Sequence, residues 1–175
     1  MTEKNKPIRI ILLGNMGVGK TSIAICIAQP ATLREGRAQR QIDIDGKEIE
    51  IEILDTRGIE MVSELASSYY EGADAAMLIF DLTTLDSFYA IHRWNEELMQ
   101  HVGDIPKLLI GNKVDLKEAR KISRDEAVDL AQRINASYFE TSIATETLPF
   151  GQRRVRGGRG IFKALRILIE QLIAK

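Results

Sequence analysis

The 175-residue sequence predicts an α/β fold: a six-stranded, mostly parallel sheet with helices on both faces. Three observations lead there. Short apolar runs alternate with helical stretches along the chain, the pattern of parallel strands joined by helical crossovers. One pair of neighbouring runs is joined by Asp45-Gly46, a turn suited to an antiparallel hairpin, so one strand runs against the rest. The composition, 45% hydrophobic and 28% charged, contains no apolar run near the ~20 residues that cross a bilayer, and reads as soluble and globular.

The elements follow in order. Ile8 to Leu13, apolar but for Arg9, is a buried strand entering a glycine-rich turn. The short apolar stretch from Thr21 to Ala28 is a helix that Pro30 stops, because proline has no N–H to continue the ladder. Ile42 and Ile44, then Ile49, Ile51 and Ile53 beyond the turn, alternate as the greasy face of a hairpin. Ala75 to Leu82 is a strand, and Phe88, Ile91, Leu98 and Val102 mark one helical stripe. Lys107 to Gly111 is a strand. Ser123 and Glu126 form a capping box at the start of a helix, Tyr138 to Glu140 is a strand, and a final helix begins near Ile161. No repeat or linker interrupts residues 1–175, so a single domain is expected. The basic, glycine-rich segment 151–160, GQRRVRGGRG, has no apolar period and is predicted to be a loop insertion.

Charge and cysteine content exclude several function classes. Lys+Arg 24 against Asp+Glu 25 leaves a net charge of -1, so no global field draws the chain to nucleic acid. The single cysteine, Cys26, forms no internal disulfide, and the start MTEKNKPIR lacks a secretory apolar region, which together point to the cytoplasm. No Cys-a-a-X ends the sequence, so lipid anchoring is not expected. Arg153, Arg154, Arg156 and Arg159 form a local basic cluster, either a solvated loop or a contact for lipid headgroups or an acidic partner. His92 and His101 read as exposed positions on one helix, and Cys26 as packing.

The chemistry sits in four segments. Gly14-Asn15-Met16-Gly17-Val18-Gly19-Lys20-Thr21, with Ser22 following, matches G-x-x-x-x-G-K-[ST] between a strand and a helix, the context this phosphate cradle requires. Glycines let backbone N–H groups turn inward onto phosphate oxygens; Lys20 reaches the terminal phosphates and Thr21 offers its hydroxyl to Mg²⁺. Asp55-Thr56-Arg57-Gly58 ends an apolar strand, so Asp55 can hold the magnesium through water and the Gly58 N–H can face the γ-phosphate. Asn112-Lys113-Val114-Asp115 follows another strand. The Asp115 carboxylate can accept two hydrogen bonds from guanine, a pairing adenine does not offer, and the Lys113 stem can lie along the base. Ser142, Ile143 and Ala144, within Glu140-Thr141-Ser142-Ile143-Ala144, stand as a second base-contacting loop.

With these four segments in order, and with LLGNMGVGKTS, IEILDTRG, SSYYEGADAAMLIFDLT, LLIGNKVDL and YFETS, the chain resembles the Ras superfamily of small GTPases, most closely Rab, from about Ile8 to Lys175. The resemblance implies a P-loop NTPase fold with ligand at the carboxyl ends of the strands. It also implies a GTP/GDP switch in which nucleotide and Mg²⁺ hold two loops, 31–40 and 58–70, that effector and regulatory proteins read. A non-hydrolysing GTP-binding scaffold is the alternative function, and a P-loop kinase a more distant one.

The departures from the family lie mostly at the phosphate end. The water-orienting glutamine is replaced by Ile59, which has no donor or acceptor, so slow hydrolysis is expected. Arg57 stands where the family has alanine, and is either a solvated switch residue or a built-in cation for the γ-phosphate. Met16 adds bulk beside the route of a partner's arginine. Thr32 is the only threonine between Thr21 and Gln41 and hence the candidate switch ligand for Mg²⁺. No aromatic residue lies between Ser22 and Ser68 to pack beside the base, and the family's lysine stem is replaced by Ala144, so weaker nucleotide affinity is expected.

Overall fold

The computed structural model describes residues 6–28, 36–56, 67–147, 153–158 and 160–174, with the backbone course alone for 144–147 and 153–156. Eight strands, β1 (Ile8–Leu13), β2 (Arg37–Ile44), β3 (Lys47–Asp55), β4 (Ala75–Asp81), β5 (Lys107–Asn112), β6 (Ser137–Glu140), β7 (Ile143–Thr147) and β8 (Arg153–Gly157), lie among these residues. They are interleaved with α1 (Lys20–Ala28), α2 (Ser67–Tyr70), α3 (Leu85–Tyr89), α4 (Ile91–Val102), α5 (Arg124–Arg133) and α6 (Ile161–Ile173).

Six strands make one sheet in the order β2-β3-β1-β4-β5-β6, and only the β2–β3 pairing is antiparallel. Alternation along β4 shows why both faces need cover. Ala75, Met77 and Ile79 join one apolar cluster with α1 and α6, while Ala76, Leu78 and Phe80 join the other with α4 and α5. A strand buried on both faces reads as a continuous apolar run, which is what β4 is. The capping box at α5 forms in full: the Glu126 N–H donates to Ser123 Oγ and the Ser123 N–H to Glu126 Oε2.

Four expectations are revised. The stripe from Phe88 to Val102 is carried by two helices, with Ala90 between them accepting from the Trp94 N–H. Residues 37–40, assigned to the first switch loop, belong to β2 and pair with 51–54, because the hairpin's hydrogen-bonded ladder extends past its apolar residues. In the same way 67–70 of the second loop form α2. The segment predicted as a loop insertion contains β8, which pairs antiparallel with β7 in register from Ile143↔Gly157 to Thr147↔Arg153. It lacks apolar alternation because the pairing is made by backbone groups, which side-chain periodicity does not report.

Candidate functional site

The site lies at the carboxyl ends of β1, β3, β4, β5 and β6, where successive loops converge. The loop after β1 is shaped by its closest approaches. A Cβ on Gly14, at φ +145, would lie 2.2 Å from the Ile79 carbonyl oxygen, and one on Gly19, at φ +105, would lie 2.2 Å from Asn112 Nδ2. Only glycine lets the loop pass these two neighbours. The loop then feeds α1, whose first residue, Lys20, is buried and donates from Nζ to the carbonyls of Gly14 at 2.6 Å and Asn15 at 2.8 Å. Its ammonium is thus held inside the loop, where a phosphate would meet it. Val18 is buried beneath the turn, and Met16 is 62% exposed at its crest.

A second pair closes beside it. Thr21 Oγ1 donates to Asp55 Oδ2 at 2.7 Å, bringing the start of α1 to the end of β3. Asp55 is buried, and its backbone N–H donates to the Gly36 carbonyl at 2.7 Å, so the strand end is anchored to the start of the hairpin. A hydroxyl and a carboxylate converging near a phosphate cradle fit Mg²⁺, which takes one or two protein oxygens and completes its octahedron with phosphate and water.

Asn112, fully buried at the end of β5, joins the two halves of the site. Its Nδ2 donates to the Val18 carbonyl at 2.9 Å, and its Oδ1 accepts from Thr141 Oγ1 at 3.1 Å and from the Ile143 N–H at 3.2 Å. One amide therefore fixes the phosphate loop, β6's end and the second base loop together. Nearby, Ser142 Oγ donates to Asp115 Oδ1 at 2.6 Å, which orients that carboxylate from the second loop. Lys113, at φ +68, reaches Asp81 Oδ2 with Nζ at 2.6 Å. Burial works against charge on Asp81, but the Lys113 and Thr83 hydrogen bonds outweigh it and hold its carboxyl below the usual range.

Glu140 secures the base loop from below. Arg120 donates to both its oxygens, at 3.2 and 2.7 Å, and the Tyr138 hydroxyl adds a bond at 2.9 Å. Burial raises the Glu140 pKa, yet these bonds and the charges of Arg120 and Arg124 pull it below that of an ordinary glutamate.

The structure thus brings Gly14 to Thr21 together with Asp55, Asn112, Lys113, Asp115, Ser142 and the Ile143 N–H, and Ser22 follows within α1. Ala144 lies in β7 by its backbone. Thr32, Arg57, Gly58, Ile59 and Arg159 lie outside the described residues. His92 and His101 are exposed on α4 as expected, although the His101 ring also stacks on Tyr70 at 4.5 Å. Sequence reading missed Asp81, Glu140 as a clamp, and Trp94, whose indole N–H donates to Asn15 Oδ1 at 3.0 Å. For Asp81 a signal existed: it is a carboxylate ending an otherwise apolar strand at the ligand edge.

Comparison with known proteins agrees with this geometry. The Ras family model matches residues 9–148. The chain is 34% identical to the Ras-related protein Rab2BV of Beta vulgaris over 142 residues, 77% of this chain and 66% of that protein. It is 31% identical to the Ras-related protein Rab-13 of Canis lupus familiaris over 147 residues, 79% and 72% of the two chains. It is 38% identical to the GTP-binding protein YPT53 of Saccharomyces cerevisiae over 152 residues, 79% and 69%. The matches thus span about two thirds of these relatives' own length, 66% in the first. With the phosphate loop, the Thr21–Asp55 pair and the Asn112 junction in their places, the chain belongs to the Ras family of small GTP-binding proteins, on its Rab-like side.

Proposed function

We propose that this chain is a GTP/GDP molecular switch whose intrinsic GTP hydrolysis is slow. The observation that carries the reading is the Asn112 junction. One buried amide connects the loop that would cradle phosphates to the Ile143 N–H and, through the loop they share, to the Asp115–Ser142 pair. A nucleotide lying across the junction would have its base read at one end and its phosphates held at the other. Asp115 accepts where guanine donates, and the Ile143 backbone can donate toward the guanine carbonyl, whereas adenine would leave the carboxylate unpaired. Lys20 and the loop N–H groups hold the phosphates.

Thr21 and Asp55 are the residues of this chain that would hold Mg²⁺, Asp55 through water, with Thr32 as the switch ligand. Mg²⁺ bound there neutralises charge on the phosphate oxygens. Ile59 cannot orient a water, so turnover depends on Lys20 and on Arg57 as a cation in cis. A non-hydrolysing scaffold has no separate observation in its favour. Effectors and regulators would read the segments that follow α1 and β3. The chain would work in the cytoplasm. No helix among the described residues is long and apolar enough to cross a membrane, and the arginines at 153, 154, 156 and 159 suit a contact with anionic lipid headgroups.

The test is single-turnover cleavage of GTP with Mg²⁺ beside equilibrium binding of GTP, GDP and ATP. Binding of GTP and GDP in clear preference to ATP, with slow phosphate release, is the expected result. Equal affinity for ATP and GTP would overturn the base assignment, and release as fast as an activator-stimulated enzyme would overturn slow hydrolysis.

A further inference from the structure

Asn15 occupies a position that the phosphate-cradle motif leaves open, since G-x-x-x-x-G-K-[ST] asks nothing of its second residue. It nonetheless makes two contacts of different kinds. Its backbone carbonyl accepts from Lys20 Nζ at 2.8 Å, and its side-chain oxygen accepts from the indole N–H of Trp94 at 3.0 Å. Trp94 is the only tryptophan of the chain, 1% exposed on α4 and 79 residues away in sequence. A buried indole N–H needs a partner, and here the partner is the phosphate loop itself and not a neighbouring carbonyl of the core.

The same stretch of α4 also reaches α2. The Arg93 guanidinium lies over the Trp94 ring, 4.4 Å from its centroid, and pairs with Glu97 at 3.5 Å. Glu97 accepts from the Tyr70 hydroxyl at 2.9 Å, and Tyr70 is the fully buried last residue of α2. Asn15, Trp94, Arg93, Glu97 and Tyr70 therefore form an unbroken series of contacts from the phosphate loop to the helix that ends the second switch segment.

We propose that Trp94 is a positioning residue of the phosphate loop, acting through Asn15 on the carbonyl that holds Lys20, and that α4 thereby ties the loop to Tyr70. A hydrogen bond from a fully packed ring restricts the Asn15 side chain, and with it the φ/ψ freedom of a loop that has glycine on either side, at 14 and 17. Restricting the loop before nucleotide arrives lowers the ordering cost of binding, so its effect appears chiefly as slower nucleotide release. The inference rests on the reading of this loop as a guanine-nucleotide phosphate site.

The test compares wild type, Asn15→Ala, Asn15→Asp, Trp94→Phe and the double variant Asn15→Ala/Trp94→Phe. GDP dissociation with Mg²⁺ present is measured for all five, and Trp94 emission in nucleotide-stripped protein for those that retain it. Asn15→Ala and Trp94→Phe are each expected to speed GDP release by roughly five- to tenfold, with the double variant no faster than the faster single, as for two ends of one interaction. Asn15→Asp, which keeps the acceptor, is expected to release GDP more slowly than Asn15→Ala. Asn15→Ala is also expected to change Trp94 emission without touching the core, which keeps the test valid if Trp94→Phe fails to fold. GDP release from Asn15→Ala within twofold of wild type, or a double variant whose effect is the product of the singles, overturns the proposal. Failure of wild type itself to retain GDP would instead overturn the nucleotide assignment, while unchanged emission in Asn15→Ala would separately remove the contact.

Discussion

The proposed base-reading end of the site and its proposed hydrolytic end are built to different standards. At the base end the key residues are wired to one another: Asn112 makes three bonds, Asp115 is oriented by Ser142, Lys113 by Asp81, and Glu140 by Arg120 and Tyr138. At the hydrolytic end the sequence places Ile59 where a water-orienting amide would stand, and Arg57 where the family has alanine. Lys20 apart, the proposed function has binding and turnover draw on separate residues, so one can be kept while the other drifts. Affinity measurements and rate measurements should therefore respond to different substitutions, and each prediction below tests that separation.

The largest effect is expected where both ends depend on one residue. Lys20→Ala should weaken GDP by about a hundredfold or more, since a charge-assisted contact to phosphate is lost in a buried setting. The protein should remain folded, because Lys20 bonds loop carbonyls and takes no part in either apolar cluster. Calorimetric titration with GDP, beside a circular dichroism melt, checks both halves; unchanged affinity would remove the phosphate assignment. Asp115→Asn comes next, and should touch the base end alone. It should weaken GTP on the order of tenfold to a hundredfold by reversing half of the donor–acceptor pattern, and improve xanthosine triphosphate correspondingly. Competition between the two nucleotides reads this directly.

At the hydrolytic end the expected changes are in rate and leave GDP affinity alone. Ile59→Gln should speed single-turnover GTP cleavage by about tenfold if the first switch also presents its magnesium ligand. Arg57→Ala should slow cleavage if Arg57 neutralises the γ-phosphate in cis, a role that ranges up to ~10³ to 10⁵ in the phosphoryl-transfer template built on Ras. A wild-type rate in Arg57→Ala would eliminate the cation and leave every binding residue in place.

The same division explains what could be read from the sequence. Phosphate and base motifs are local: each is a few residues at fixed spacing on a strand–loop–helix unit, and strand periodicity places them at one edge of the sheet. The mostly parallel six-stranded sheet and its one antiparallel hairpin strand followed from that periodicity and one Asp-Gly turn, whereas the order of the strands is read from the structure alone. Contacts between distant segments leave no such trace. Trp94 fits a helical stripe equally well whether or not its N–H meets Asn15, and Arg120 lies 20 residues from Glu140. The β7–β8 pair was illegible for another reason: its arginines and glycines carry no alternation, and the partner strand, Ile143–Thr147, doubles as part of a binding motif. Reading that stretch as a nucleotide loop concealed that it also forms a strand.

The smallest expected effect tests whether the base end's wiring contributes to holding nucleotide or only to the fold. Glu140 sits directly before Thr141 and Ser142, the residues that bond Asn112 and Asp115, so loosening it should loosen the loop. Its carboxyl is held below the ordinary range in the folded protein, because its bonds to Arg120 and Tyr138 and the arginine charges outweigh burial. A depressed folded pKa means that the folded state binds fewer protons than the unfolded one. The contribution is fully present above the unfolded value of about 4.3 and is lost as pH falls through the lower folded pKa. Glu140→Gln keeps the shape and one acceptor but removes the charge, costing about 1 kcal/mol at neutral pH once solvent screening is allowed for, or roughly 2–4 °C of melting temperature in a chain of this size. The difference in melting temperature between wild type and variant should be constant above the unfolded value of about 4.3 and shrink as pH falls through the lower folded pKa, where wild-type Glu140 is protonated too. GDP release at pH 7 should quicken by about two- to threefold in the variant, an amount that roughly half a kcal/mol of loop anchoring would produce. A variant that melts lower but releases GDP at the wild-type rate would assign Glu140 to the fold alone, and would confine the nucleotide's hold at this end to Asn112, Asp115 and the Ile143 backbone.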